Sequence, residues 1–219
     1  MPARWSRLAP LTGVLFVAFA VASFPVSSNT PNSDASGARV IAFYEAHQSS
    51  QRVSDVLFVV ASVFLMFFAG SLRGYLRRTP AAEALSAVVL AGAVPLAVGI
   101  ALFSGLDFAL ADVPSHLEPA AAQALNVLNN DLFFPIAVGG GVFGIASGLA
   151  ILRGAPLPKW LGWAAIVIGI ASMTPAGFPA LLAFFVWTVI VSILVYLRSA
   201  PGAAAGSAAA PGIAGAPSA

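Results

Sequence analysis

The groups in this chain that could do chemistry stand at the edges of long apolar runs. Asp55 opens one run, Asp107 closes another, and Asn129-Asn130-Asp131 leads into a third, while His47 and His116 lie in the connecting stretches between. Carboxyl and imidazole groups are the side chains that move protons or ligate metals. Asp55, Asp107, Asn130, Asp131, His47 and His116 therefore define a candidate polar pocket. The plainer reading of Asp55 and Asp131 is structural: a carboxylate at a helix N-terminus accepts from free amides and complements the helix dipole. No metal site is expected from two histidines 69 positions apart with no ligand spacing between them.

Other chemistries are set aside quickly. Cysteine is absent, so there is no thiolate site, thiol nucleophile or redox pair. Gly144-Ile145-Ala146-Ser147-Gly148 lacks the nucleophile-elbow pattern, no histidine lies in an apolar run to act as base or haem ligand, and no phosphate-binding loop is present. Neither an enzyme nor a cofactor is expected. The ten basic residues are spread along the chain without a basic patch, which speaks against nucleic acid as a partner.

The elements that must position these groups follow from composition. Of 219 residues, 59% are hydrophobic and 8% charged, whereas a soluble domain is about a quarter charged. Such a chain would expose long apolar runs to water; a bilayer removes that conflict. A spanning helix needs about 20 mostly apolar residues, and six segments qualify: 8–26, 56–76, 84–106, 132–152, 160–173 and 179–197. The expected fold is all-α, a six-span transmembrane bundle over residues 1–198, followed by a disordered Ala/Gly/Pro-rich tail at 199–219. The first segment also has features of a secretory signal, with Arg4, Arg7 and the small-residue stretch Ala18-Phe19-Ala20. Its apolar run continues to Val26, long enough to span, and it is read as retained.

Basic residues give the orientation. Arg4, Arg7, Arg73, Arg77, Arg78, Arg153, Lys159 and Arg198 all fall on one side if the N-terminus is cytoplasmic, leaving only Arg39 and Arg52 outside. Both termini are then cytoplasmic and the location is the plasma membrane. Trp5, Tyr75, Trp160, Trp163 and Tyr196 sit at the same ends as an interfacial belt would, and Trp187 is a packing residue. Two amphipathic helices are expected outside. In one, Val40, Phe43, Tyr44 and His47 share a face and lead toward the second span. The other begins with a capping box at Ser115-His116-Leu117-Glu118, lines Leu117, Ala121, Leu125 and Leu128 on one face, and runs into the fourth span with a bend at Pro135.

Small residues recur at helical spacing in two ridges: Ala93, Ala97, Ala101 and Gly105 on the third span, and Gly140, Gly144 and Gly148 on the fourth. Such ridges allow close backbone approach, here between neighbouring spans, with a homodimer seam as the alternative. Ser62, Ser86, Ser147, Thr188 and Ser192 are the main polar side chains inside the spans and can bond back to their own helices.

Leu157-Pro158-Lys159-Trp160-Leu161-Gly162, together with Phe43-Tyr44-Glu45-Ala46-His47 ahead of a span ending Leu72-Arg73, resembles a group of uncharacterised bacterial multispan membrane proteins. The resemblance covers roughly residues 8–198 and implies a plasma-membrane location and a compact helical bundle, with no substrate or catalytic residue to carry over. The function expected is that of a non-enzymatic membrane protein interacting with lipid or a membrane partner. The alternatives are a small permease or lipid-handling protein with an outer polar pocket and, behind it, an outer-leaflet metal-dependent enzyme.

Overall fold

Proline and serine set where helices begin. Pro80 and Pro114 open short 3-10 turns, and Pro119 occupies the first helical position of its helix, where a missing N–H costs nothing. Ser36 caps another by accepting from the Arg39 amide at 3.4 Å. In the computed structural model, which describes residues 8–27 and 29–199, every regular element is helical. They are α1 (Thr12–Ser23, entered through a 3-10 turn at Ala9–Leu11), α2 (Gly37–Leu76), α3 (Glu83–Asp112), α4 (Pro119–Asp131), α5 (Phe133–Leu152), α6 (Lys159–Ser172) and α7 (Gly177–Arg198). Gly154, at φ +112°, turns the chain sharply after α5.

Four segments are long and apolar enough to cross a membrane: Gly37–Leu76, Pro80–Asp112, Pro119–Leu152 and Gly177–Arg198. The first and fifth expected spans form shorter apolar helices, Ala9–Ser23 and Lys159–Ser172. At 1.5 Å per residue the latter is about 21 Å long, less than the ~30 Å hydrocarbon core. Both nonetheless belong to the bundle. Contacts run from α1 to α2, α2 to α3, α3 to α5, α5 to α6, α6 to α7 and α7 back to α1, closing a ring. Its centre is aromatic: Phe143 packs edge-on against Phe184 and Trp187, and Phe16 against Phe184 and Phe185. Each helix of the ring turns large apolar side chains outward, among them Leu15, Phe67, Val98, Val138, Val167 and Val186. Water would not tolerate that surface and lipid would.

Several local expectations are corrected. The first amphipathic helix and the second span are one 40-residue helix, α2, kinked only at His47. The capping box does not form: Ser115 lies in the preceding 3-10 turn, and Glu118 is the N-cap of α4 without a side-chain cap bond. The inward face of α4 carries Ala122, Asn126 and Asn129, while Leu128 is half exposed. The break between α4 and α5 falls at Leu132, just ahead of Pro135. Pro135 supplies no amide for the Asp131 carbonyl, so the bend is felt one turn upstream. The capping role expected of Asp55 and Asp131 also fails, since Asp55 lies well inside α2 and Asp131 is the last residue of α4.

The glycines of α5 are spent inside the bundle. A Cβ at Gly144 would meet the Ala165 carbonyl of α6 at 2.8 Å, and one at Gly148 would meet Ile166 at 2.6 Å. Gly140 lies more loosely, 3.8 Å from Ser172. Across the α3–α5 seam, Gly92 abuts the Phe143 backbone and Gly139 abuts Leu96. On the alanine ridge, Ala93 and Ala97 are buried and Ala101 half-buried, but Gly105 is exposed with nothing near it. Among the span hydroxyls, Ser62 and Ser86 bond back to their own helices. Ser192 instead donates to the Pro10 carbonyl, and Ser147 and Thr188 have no partner among the described residues. Trp187 packs as expected and donates to the Leu161 carbonyl at 2.9 Å, tying α7 to α6. The tail beyond Ser199 and Arg4, Trp5 and Arg7 lie outside the described residues.

Candidate functional site

One end of the bundle is basic. The Tyr75 hydroxyl and the Arg198 guanidinium both donate to the Pro156 carbonyl, gathering the ends of α2 and α7 at the α5–α6 connection. Arg78 lies over the Tyr75 ring. The other end, where α2 begins and α3 finishes, holds a buried polar cluster.

That cluster is built by register. Tyr44, Gln51 and Asp55 are spaced seven and four residues apart, and α2, despite its kink at His47, keeps them on one buried stripe. The stripe faces α3, where Ser104 and Asp107 are three apart. α4 closes the third side with Asn126 and Asn129. A small apolar core of Val40, Tyr44, Leu110, Ala111 and Ala122 packs around the junction. Two strap bonds hold the loop before α2 over it: Asn126 donates to the Asn32 carbonyl at 2.9 Å and Asn130 to the Pro31 carbonyl at 3.4 Å. Gly37 lets the start of α2 press on the Pro119 backbone.

Asp107 is the hub. Its Oδ1 accepts from the Tyr44 hydroxyl and from Asn129 Nδ2 at 3.3 Å, and its Oδ2 from Gln51 Nε2 at 3.1 Å. Asp55, 5% exposed, brings its carboxyl within hydrogen-bonding reach of Asp107. A bond between two carboxyls requires a proton on one of them. Apart from that carboxyl–carboxyl contact, Asp55 Oδ2 has no donor among the described residues, and Ser104 Oγ and Asn129 Oδ1 have no partner among them. The nearby cation is committed elsewhere. Arg52 donates to both the carboxylate and the carbonyl of Asp112 at 2.6 Å, and Gln48 joins it on that carbonyl at 2.9 Å, so the two clamp the end of α3.

Beside the cluster, a lateral cleft of about 220 Å³ opens between α2 and α3. Val56, Val59, Val60 and Phe108 form its walls, Gly105 leaves a gap on one side, and Asp55 and Ser104 line it from within. A second shallow cleft, reaching Arg52, shares Val56 and Phe108 with it. The slot is almost wholly apolar, with Asp55 and Ser104 buried at its base.

Of the six residues read from the sequence as a pocket, the structure brings Asp55 and Asp107 together. Asn130 is an exposed strap residue, and Asp131 and His116 are exposed at the surface. His47 sits at the α2 kink, its Nδ1 on the Phe43 carbonyl at 2.8 Å and its ring stacked on Phe43. Among the described residues no group of three His, Asp or Glu is placed to hold a metal ion. Tyr44, Gln51, Asn129 and Ser104 were missed. The seven-and-four spacing of Tyr44, Gln51 and Asp55 was the available signal, hidden by dividing α2 into a loop helix and a span.

No family model, curated protein or solved structure matches the chain. The reading of function therefore rests on the bundle and this cluster.

Proposed function

We propose that the chain is a plasma-membrane protein of six spans, both termini cytoplasmic, that takes an amphipathic membrane molecule into the α2–α3 cleft on the outer side. Its action is binding or passage of that molecule, not catalysis. The carrying observation is the cleft itself: apolar walls facing outward and, beneath them, Asp55, tied to Asp107, and Ser104, whose hydroxyl has no partner among the described residues. Buried polar groups without partners are rare and call for a ligand or solvent group to complete them.

The orientation is supported by the clustering of basic groups at the opposite end of the bundle from Asp107, as the positive-inside rule requires. The short helices α1 and α6 are counted as spans because each completes the ring and turns apolar side chains outward. Exposed positions in this cysteine-free chain make the orientation testable. A cysteine at Ser36 should react with an impermeant thiol reagent on intact cells, and one at Ala81 only after permeabilisation; the reverse pattern overturns the topology.

For the function, the test is lipid and metabolite analysis of the purified full chain against Gly105→Leu. A Cβ at Gly105 meets nothing within 4 Å, so the larger side chain can occupy the cleft rim without disturbing the helix seam. An amphiphile carried by the wild type and absent from folded Gly105→Leu supports the reading. Identical bound molecules in both proteins would sink it.

A further inference from the structure

At the basic end of the bundle, the start of α1 and the ends of α2 and α7 enclose a pocket of about 390 Å³. Its base is apolar, from the buried Pro10 and Val195, while the exposed Arg77 and Arg78 stand at its rim and Ser71 and Ser199 complete the lining. Gly74, where a Cβ would meet nothing within 4 Å, keeps the space open. The walls are tied in place: Ser192 of α7 donates to the Pro10 carbonyl at 2.7 Å, and Tyr75 of α2 to the Pro156 carbonyl at 2.9 Å. We infer that this pocket, separate from the α2–α3 cleft, binds the phosphate headgroup of an anionic phospholipid.

The charge of the ligand follows from what the arginines lack. Of the eight acidic side chains in the chain, only Glu83, at the start of α3, lies at this end. It pairs with neither arginine, since the ion pair formed among the described residues is Arg52–Asp112, at the other end. Arg198, the neighbouring guanidinium, is committed to the Pro156 carbonyl. Arg78 lies over the Tyr75 ring, 5.7 Å from its centre, a contact that orients the guanidinium while leaving its N–H groups free. Guanidinium groups present paired donors that match phosphate oxygens. A basic pocket between helices at a membrane face is the arrangement that recognises anionic headgroups. The apolar base favours a lipid over a free phosphate, because inorganic phosphate has nothing to place against Pro10 and Val195.

The test uses the full chain in neutral detergent micelles, titrated with dihexanoylphosphatidylglycerol, dihexanoylphosphatidylcholine or inorganic phosphate and read by native mass spectrometry. Phosphatidylglycerol should bind one per chain, and at least about tenfold more tightly than phosphatidylcholine, whose choline brings a positive charge to the arginines. Arg77→Gln with Arg78→Gln should weaken it at least about tenfold, as losing charge-assisted hydrogen bonds implies. Gly74→Leu, which fills the pocket and removes no charge, should do the same. Arg153→Gln with Lys159→Gln removes equal charge from exposed positions at this end and should weaken binding less than about threefold. Gly105→Leu, in the other cleft, should leave it unchanged. Undiminished binding of phosphatidylglycerol to the folded double arginine variant, or to folded Gly74→Leu, overturns the inference. So does an equal loss in the Arg153 and Lys159 pair, which makes the attraction diffuse, or phosphatidylcholine binding as tightly. Inorganic phosphate that displaces the lipid at equal concentration overturns the lipid as occupant, and no binding of phosphatidylglycerol to the wild type overturns the site.

Discussion

Replacing Asp107 tests whether the polar cluster holds its end of the bundle together. In Asp107→Ala three donors lose this acceptor; Gln51 keeps a further interaction, while the Tyr44 hydroxyl and Asn129 Nδ2 lie at positions 0% and 3% exposed where water has little access. A buried donor left without an acceptor costs about 1–3 kcal/mol. Two such donors set a gross loss of roughly 2–6 kcal/mol, from which relief of the facing Asp55 carboxyl must be subtracted. The net expectation is a destabilisation of about 3 kcal/mol. Tyr44→Phe removes one donor and leaves Asp107 its bonds to Gln51 and Asn129, so it should cost only about 1 kcal/mol. Because the two residues share one bond, the double variant should fall short of the sum by about 1 kcal/mol. Unfolding in mixed micelles, followed by circular dichroism against increasing sodium dodecyl sulfate, measures all three. A loss below about 1 kcal/mol for Asp107→Ala, or strict additivity in the cycle, would refute the hub role.

Two further changes probe the ring. Gly92→Ala places a Cβ 2.5 Å from the Phe143 backbone nitrogen, which cannot rotate away, and should destabilise by about 1–3 kcal/mol; Gly105→Ala, in open space, should stay within about 0.5 kcal/mol in the same unfolding titration. Trp187→Phe removes the donor to the Leu161 carbonyl and part of the stack on Phe184, so it should cost about 1–2 kcal/mol and loosen α6, seen as faster amide exchange over Lys159–Ser172.

The lengths of the helices were legible to differing degrees. Apolar runs at 56–76 and 84–106 marked α2 and α3 because hydropathy is summed over many residues and tolerates local error. Their ends were misplaced because polar stretches such as Tyr44–Asp55 remain helical when a third helix covers them. α4 shows the same limit: its leucines suggested one buried face, yet Asn126 and Asn129 turn inward since the loop carbonyl of Asn32 and the carboxyl of Asp107 wait there. Spacing alone cannot show a partner that arrives from 22 or 94 residues away.

The aspartates with which the sequence reading began make the same point. Their positions at the ends of long apolar runs, and the lengths of those runs, are local properties, and they determined the all-helical class and that polar chemistry gathers at the ends of helices. Which carboxyls meet was decided only by tertiary packing. Asp55, Asp107 and Asp131 look alike in sequence, but helix register buries the first two against each other and leaves the third at an exposed helix end. Burial and the company of neighbouring donors give a carboxyl its chemistry, and both depend on how three helices cross.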